Sequence, residues 1–283
     1  VNTEQNRLNV YEAGESSFEA DAPENAAKIA ADKLDAIQLD FWRAPNDNDR
    51  GNNMSGRQGA WRNAGMEINW SELKELEPGV FERVGSFKTL KDASVTEKIT
   101  LGKNNAYKVA FSVDKKGAPY LPRFGAYLLT DATNVEYYGR GPEENYFDRH
   151  DGSLAGVYKT TVADMFVSSY SEPGEFGYRT DCRWVKATNN DGRGVKIPAL
   201  NANGVVTGKD AAATISFSAK NMLNRDLESV EHPWQIPVRN FTVLNFDFLQ
   251  SGVAGDDSWG AQAYPQYRLS ADSYSYEVLV EEL

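Results

Sequence analysis

Three stretches combine aromatic, acidic and glycine residues at spacings that could do chemistry. The first is Phe41-Trp42-Arg43-Ala44-Pro45-Asn46-Asp47-Asn48-Asp49-Arg50-Gly51, where two large aromatics enter an acid-rich polar turn. A calcium loop needs glycine at its sixth position, and with Asp47 and Asp49 as positions one and three, Gly51 falls at five. The stretch reads instead as a strand end followed by an Asx-type turn whose side chains bond local amides. The second is Tyr137-Tyr138-Gly139-Arg140-Gly141-Pro142-Glu143-Glu144-Asn145-Tyr146. Its G-x-G follows a strand, but Pro142 blocks a phosphate-cradling turn and no βαβ unit follows, which excludes a dinucleotide site. The third is Gly252-Val253-Ala254-Gly255-Asp256-Asp257-Ser258-Trp259-Gly260. An indole flanked by carboxylates could stack on a sugar face while Asp256 and Asp257 bind hydroxyls. A structural turn with an incidental tryptophan is the competing reading.

Catalytic groups are harder to find. A retaining glycosidase needs two carboxyl groups about 5–5.5 Å apart. The adjacent pairs Glu143/Glu144, Asp256/Asp257 and Glu281/Glu282 cannot flank one bond in extended chain, because neighbours point to opposite faces. His150, in Asp148-Arg149-His150-Asp151, could act as a general base, but such a histidine is more often a surface hydrogen-bonding residue. No nucleophile elbow, P-loop or H-E-x-x-H occurs. The residues yield turns that could contact sugar, and no catalyst.

A chain of 283 residues with 41% hydrophobic and 25% charged content suits an ordinary globular protein with a sizeable core. One cysteine, Cys182, excludes a disulfide framework, and two histidines leave little for a metal centre. The net charge of −11 disfavours nucleic acid and anionic membrane as partners. No apolar run reaches the roughly 18–20 residues of a membrane span, and the N-terminus lacks a signal-peptide core. The chain begins at Val1 without Met, which fits a processed protein or an excised fragment.

The elements that must position the turns are strands. Ser94–Leu101 and Ala106–Val113 alternate polar and apolar around a Gly102–Asn105 hairpin loop. Phe124–Thr130, Val135–Tyr138, Ala213–Ser218, Phe241–Phe248, Tyr267–Ser270 and Tyr274–Val280 are further candidates. With few helical signals, only Pro23–Leu34 and a turn or two over Ser55–Asn63, the pattern predicts one antiparallel β-sandwich domain spanning residues 1–283.

Taken together the motifs resemble those of the C-terminal small-chain domain of family 2 β-galactosidases. Phe41–Gly51 is similar to F-x-R-A-P-x-D-N-D-x-G, and Tyr137–Arg149 contains a run similar to G-x-G-P-x-E-N-Y-x-D-R. Pro173–Trp184 is similar to P-Q-E-N-G-x-R-T-D-x-R-W, departing at Gly174 and Phe176. Gly252–Gly260 is similar to G-x-G-G-D-D-S-W, with Ala254 at the first paired glycine. The order also matches, while residues 1–40 carry no matching motif.

The resemblance implies an all-β, many-stranded antiparallel supersandwich of the galactose mutarotase-like type. It implies a non-catalytic domain that completes the galactoside-binding site of a separate catalytic barrel, which cleaves terminal β-galactosides with retention and holds both catalytic glutamates. The isolated chain is then expected to be inactive. Trp259 matches the family's sugar platform, and Gly51, Asn52 and Asn53 open a mobile loop beside the active site. Arg43, Asp47, Asn48, Asp49, Glu143, Asn145, Tyr146, Asp256 and Asp257 match motif positions that hold the loops. No cofactor is implied in this chain, since the Mg and Na of the parent family lie mainly outside this domain. The implied partners are the barrel, on the same or another chain, and the galactoside substrate, within a homo-oligomeric parent. The alternatives are a free-standing mutarotase-like aldose epimerase, which would need His150 or His232 as its base, and a carbohydrate-binding module. An exposed patch rimmed by Phe41–Gly51 and Trp259 is expected where the barrel docks. Cys182 is expected on one strand face with Thr180 and Trp184 as a buried structural thiol.

Overall fold

The computed structural model describes residues 18–203, 214–257 and 260–283. In chain order α1 (Ala26–Ala36) leads to β1 (Gln38–Asp40), then α2 (Asp47–Gly51) and α3 (Met54–Gln58). Next come β2 (Ile68–Trp70), β3 (Lys74–Glu77), β4 (Val80–Phe87), β5 (Ser94–Leu101) and β6 (Tyr107–Asp114). Then follow β7 (Arg123–Thr130), β8 (Asn134–Gly141), β9 (Leu154–Thr161), β10 (Arg179–Cys182), β11 (Trp184–Thr188) and β12 (Gly194–Asn203). The chain closes with β13 (Ile215–Lys220), α4 (Asn224–Glu228), β14 (Thr242–Gln250) and β15 (Ser273–Glu282).

Among the described residues the strands form two sheets, with all their pairings antiparallel. The small sheet runs β1-β7-β14-β13-β10. The large one runs β2-β4-β5-β6-β15-β12-β11-β8-β9, with β3 on β4. This is the many-stranded antiparallel supersandwich, and alternation explains how it closes. Phe246 of β14 packs on Phe111 of β6, and the Tyr276 hydroxyl of β15 donates to the Phe246 carbonyl at 3.0 Å. Phe111, Phe124, Phe248 and Tyr276 complete an aromatic core between the sheets. Asn245 and Asp247, one residue to either side of Phe246, therefore face the other way. The small sheet thus presents a polar outer face, which the motif loops cover.

The sequence places several elements a little differently. The N-terminal helix begins at Ala26, with Pro23 ahead of it as the acceptor of the Ala26 N–H. Tyr267–Ser270 is no strand: a 3₁₀ turn covers Pro265–Tyr267, and only Leu269 makes an isolated bridge, to Leu121. The Asn46–Gly51 turn is a short helix, because the Asn46 side chain accepts the Asp49 N–H while the Asp49 carboxylate accepts the Asn46 N–H. Thr180, Cys182 and Trp184 are all buried but do not share one strand. A bulge at Asp181, with φ 54°, interrupts β10, and the chain leaves the small sheet after Cys182 and enters the large one at Trp184. Among the described residues no helix is long and apolar enough to cross a membrane.

Candidate functional site

All four motifs meet over the outer face of the small sheet. Arg43 is the first link. Its fork donates to both Asp49 oxygens at 2.9 and 2.8 Å, and also to the carbonyls of Ser251 and Gly252. One buried guanidinium thereby joins the first motif to the last. Asn48 adds a bond from Nδ2 to the Val253 carbonyl at 3.0 Å. Asp148, from the second motif, accepts the N–H groups of Val253 and Ala254 at 2.9 and 2.8 Å. Ala254 sits at φ 57°, a left-handed conformation that favours glycine, so the strained residue is the one the carboxylate grips. The third motif closes the ring. The Glu175 N–H donates to the Ala44 carbonyl at 2.9 Å, and a Cβ on Gly174 would lie 2.8 Å from the Pro45 carbonyl. The close approach explains glycine at this departure from the family pattern.

Beneath the loops lies a buried ion network. Arg123 pairs with Asp40 (2.6 Å), Glu175 (3.1 Å) and Asp247 (3.0 Å), and Lys220 pairs with Glu175 at 2.8 Å. Three carboxylates thus face two cations. Burial pushes the Asp247 carboxyl up to about 7, against the pull of Arg123. Burial would raise Glu175 too, but the charges of Lys220 and Arg123 and bonds from Lys220 and Gln250 hold it at about 2. The network is neutral when Asp247 carries the odd proton.

The other expected site residues fall around this junction. Asn145 is fully buried. Its Nδ2 donates to the carbonyls of Arg140 and Glu143, and its Oδ1 accepts from the Thr180 N–H and hydroxyl. Tyr146 stacks on Tyr178 with ring centres 5.6 Å apart. Glu143 is exposed, whereas Glu144 accepts from the Gly177 N–H, Tyr170 and Arg149. Asp47 is exposed and pairs with Arg50. Gly51 lies against Gly260, and Asn52 Nδ2 reaches the Ala261 carbonyl at 3.5 Å. Asn53, at φ 56°, joins α2 to α3, so the stretch that starts at Gly51 is built of helical turns. Asp257 accepts the Ala261 N–H at 3.0 Å, and Asp256 is exposed. Trp259 lies outside the described residues.

One expectation needs correction. The patch rimmed by all of Phe41–Gly51 is not found: Phe41 and Trp42 are about 1–2% exposed, because their rings complete the core, and only the polar Asn46–Asn53 half reaches the surface. His150 is a half-buried hydrogen-bonding residue, with Nδ1 3.3 Å from the Thr180 hydroxyl and 3.5 Å from Asp181, and Nε2 3.7 Å from Asp151.

Asn46, Asp47, Asn48, Tyr146, Arg149, Val253 and Ala254 line a surface cleft of about 170 Å³ at the junction. The buried carboxylates under it are engaged: Glu175 by two cations and Gln250, Asp49 by Arg43. Among the described residues no group of three or more His, Cys, Asp or Glu converges to hold a metal ion, so they do not fit a Mg²⁺ cage. The arrangement can hold loops rigidly and present them to a ligand. Sequence reasoning missed Asp148, Arg123, Lys220 and Asp247 as organising residues. The available signal was a charge inside an otherwise apolar strand, as in Phe246-Asp247-Phe248.

Residues 21–280 match the family described as Beta galactosidase small chain. The match begins twenty residues before the first motif. The β-galactosidase of Priestia megaterium is 32% identical over 238 residues, covering 82% of this chain and 22% of the relative. That of Lactobacillus delbrueckii subsp. bulgaricus is 32% identical over 243 residues, covering 83% and 22%. The chain therefore spans under a quarter of the length of these relatives. Among solved structures, a GalM/aldose epimerase homologue from C. elegans overlaps at a TM-score of 0.41 with 10% identity, covering 76% of this chain and 68% of that one.

Proposed function

Since the chain belongs to the β-galactosidase small-chain family, we propose that it serves as the non-catalytic domain that completes the galactoside site of a β-galactosidase. A separate barrel supplies the catalytic glutamates and cleaves the bond with retention. The observation that carries this reading is the convergence of four sequence-distant motifs on one patch. Arg43, Asp148 and Glu175 each bond the backbone of another motif there. Bonds of that kind fix the position of loops, as a binding surface requires. The engaged carboxylates beneath the patch support a domain that positions and does not itself catalyse.

In this reading the chain on either side of Trp259, at Asp257 and Gly260, and the Gly51–Asn53 turn stand together at the sugar site, Gly260 lying against Gly51. Trp259 stacks on the substrate, and Arg43, Asp49 and Asp148 set where its loop starts. By the family resemblance, the Mg²⁺ and Na⁺ of the assembled enzyme are held mainly outside this domain. The test is Trp259→Ala in the complete enzyme, assayed on a chromogenic β-galactoside. Stacking acts alike on ground and transition states, so KM should rise about 5- to 100-fold, equivalent to roughly 1–3 kcal/mol, with kcat little changed. An unchanged KM with a collapsed kcat would reject the platform role.

A further inference from the structure

A second groove lies on the outer face of the small sheet, at the β1 edge, with a volume of about 490 Å³. No residue lines both it and the motif cleft. Its floor is Tyr127 and Leu129, alternate residues of β7 and so on one face. One wall is α4, which contributes Arg225 and Glu228, and the other carries Arg62 and Met66. Leu129 and Met66 are 52% and 62% exposed, which leaves apolar surface open at the floor and rim. The loop that leaves α4 adds Trp234 and Val238, both more than three-quarters exposed. Large apolar side chains gathered this openly mark a contact surface.

The charges at the groove do not cancel. Glu228 accepts the Trp42 indole N–H at 2.8 Å and pairs with Arg62 through its other oxygen. Asp40 pairs with Arg123 at 2.6 Å and also accepts from Asn224. Asp226, next to Arg225 in the chain, is held by Arg239. Arg225 is left over. Among the described residues its guanidinium has no hydrogen bond or ion pair, and the Tyr127 hydroxyl has no hydrogen bond, yet both residues line the groove. On a chain of net charge −11 the groove therefore carries one uncompensated positive charge above an apolar floor.

We propose that this groove docks the part of the parent enzyme that lies outside this chain. It receives an acidic side chain on Arg225 and the Tyr127 hydroxyl, and an apolar neighbour of that acid on Leu129 and Met66. The β-galactosidase relatives hold more than three-quarters of their length outside the matched part, so most of the polypeptide that can cover this surface lies beyond this chain. Contacts between domains of one polypeptide bury ~600–1,500 Å² and are partly polar, which suits an apolar floor with a charged rim. The planar guanidinium matches the fork of a carboxylate. A second copy of this chain suits the groove less, because a two-fold contact through it would gather two uncompensated guanidiniums in one interface. The inference rests on the chain being a portion of a β-galactosidase, and not on the sugar-platform role of the motif cleft.

The test uses methionine oxidation as a footprint. Of the four methionines, Met54, Met165 and Met222 are buried and Met66 is exposed, so peroxide should attack one site first. Met66 sulfoxide is followed by mass spectrometry in this chain alone and in a complete β-galactosidase that carries it. Met66 should oxidise at least about tenfold more slowly in the complete enzyme. Arg225→Glu in the complete enzyme sets acid against acid and should speed Met66 oxidation at least about threefold. Arg225→Lys identifies the partner. Carbodiimide joins a lysine Nζ to a carboxylate within ion-pair distance, and peptide mapping should return an Asp or Glu from outside this chain. Equal oxidation of Met66 in the two proteins would overturn the proposal. So would cross-links confined to acids of this chain or of a second copy of it. Arg225 is exposed and unpaired among the described residues, so its variants should fold, which circular dichroism checks, and the wild-type oxidation comparison needs no variant. The KM test of Trp259→Ala reads the sugar site alone, so the two readings fail separately.

Discussion

The Asp148 carboxylate accepts the backbone N–H of Val253 at 2.9 Å and that of Ala254 at 2.8 Å, so a residue of the second motif holds the turn that begins the fourth. Gly252 makes the approach possible, since a Cβ there would lie 2.4 Å from Asp148 Oδ2. Hydrogen bonds to a charged acceptor contribute about 1.5–3 kcal/mol each in favourable settings, and together they offset the left-handed Ala254.

Asp148→Asn removes the charge and one of the two acceptors. Unfolding stability should fall by about 1–3 kcal/mol in urea titrations. In the assembled enzyme the loop leading to Trp259 loosens, so KM should rise more than kcat falls. Ala254→Gly in the same background should recover part of the stability, because glycine relieves the backbone strain. Wild-type stability and KM in Asp148→Asn would show that the clamp positions nothing.

Periodicity sufficed for β5 and β6 because each buries one face, and their alternating burial follows the alternating residues. It was silent on β9, whose Leu154, Ala155 and Val157 do not alternate cleanly and whose residues stay largely exposed at the sheet edge. The motifs pointed to one site, yet no local rule could show that Arg43 reaches a carbonyl 209 residues away. The same limit hid the burial of Phe41 and Trp42. An aromatic pair beside a polar turn looks the same in sequence whether it rims a surface or fills a core, and only Trp61, Phe87 and Phe124 decide it.

The buried network should leave a pH signature. Asp247 has a folded value of about 7 against roughly 3.9 unfolded, so between these the folded state keeps a proton that the unfolded chain has lost. Its stability contribution is therefore full at low pH and lost as pH rises through about 4 to 7. Glu97, raised by burial to about 7 against the pull of Arg83, acts in the same window and direction. Glu175, held at about 2, works oppositely and loses its contribution as pH falls below roughly 4. Asp247→Asn should flatten the fall in stability between about pH 4 and 7 by up to one proton, about 1.4 kcal/mol per pH unit. Chemical denaturation across that range measures the slope. An unaltered slope would mean that Asp247 stays ionised throughout.

Cys182 is fully buried, and its thiol lies 3.5 Å from the Thr180 carbonyl. The contact with Gly139 is tight, since a Cβ there would stand 2.3 Å from the sulfur. Arg179, three residues earlier in the chain, directs its guanidinium to the Tyr137 hydroxyl and the Tyr178 carbonyl. A thiol reagent should therefore label the folded protein only as fast as it opens, with full reaction in denaturant. Gly139→Ala should destabilise strongly, and Cys182→Ala should relieve only part of this, because the Cys182 Cα also lies 2.9 Å from the new methyl. Labelling of the native protein at the rate of a free thiol would contradict the assignment.

Arg43 provides the sharpest test of how the loops are held. Its side chain is 2% exposed and satisfies both Asp49 oxygens and two carbonyls of the Ser251–Gly252 turn. Removing one partner of a buried pair leaves an uncompensated charge, so Arg43→Met should cost about 3–5 kcal/mol. Arg43→Lys keeps the charge but cannot span the carboxylate and the carbonyls at once, and should fall between Met and wild type. Arg43→Met combined with Asp49→Leu removes both charges and should be more stable than Arg43→Met alone. Recovery stays incomplete, because the Asn46–Asp49 capping box is lost and the two carbonyls remain unmatched. Urea denaturation of wild type, Arg43→Met, Asp49→Leu and the double variant gives the coupling energy directly. Should Arg43→Met unfold within about 1 kcal/mol of wild type, the fork would not be what binds the first motif to the last, and Asn48 and Asp148 would have to hold the turn without it.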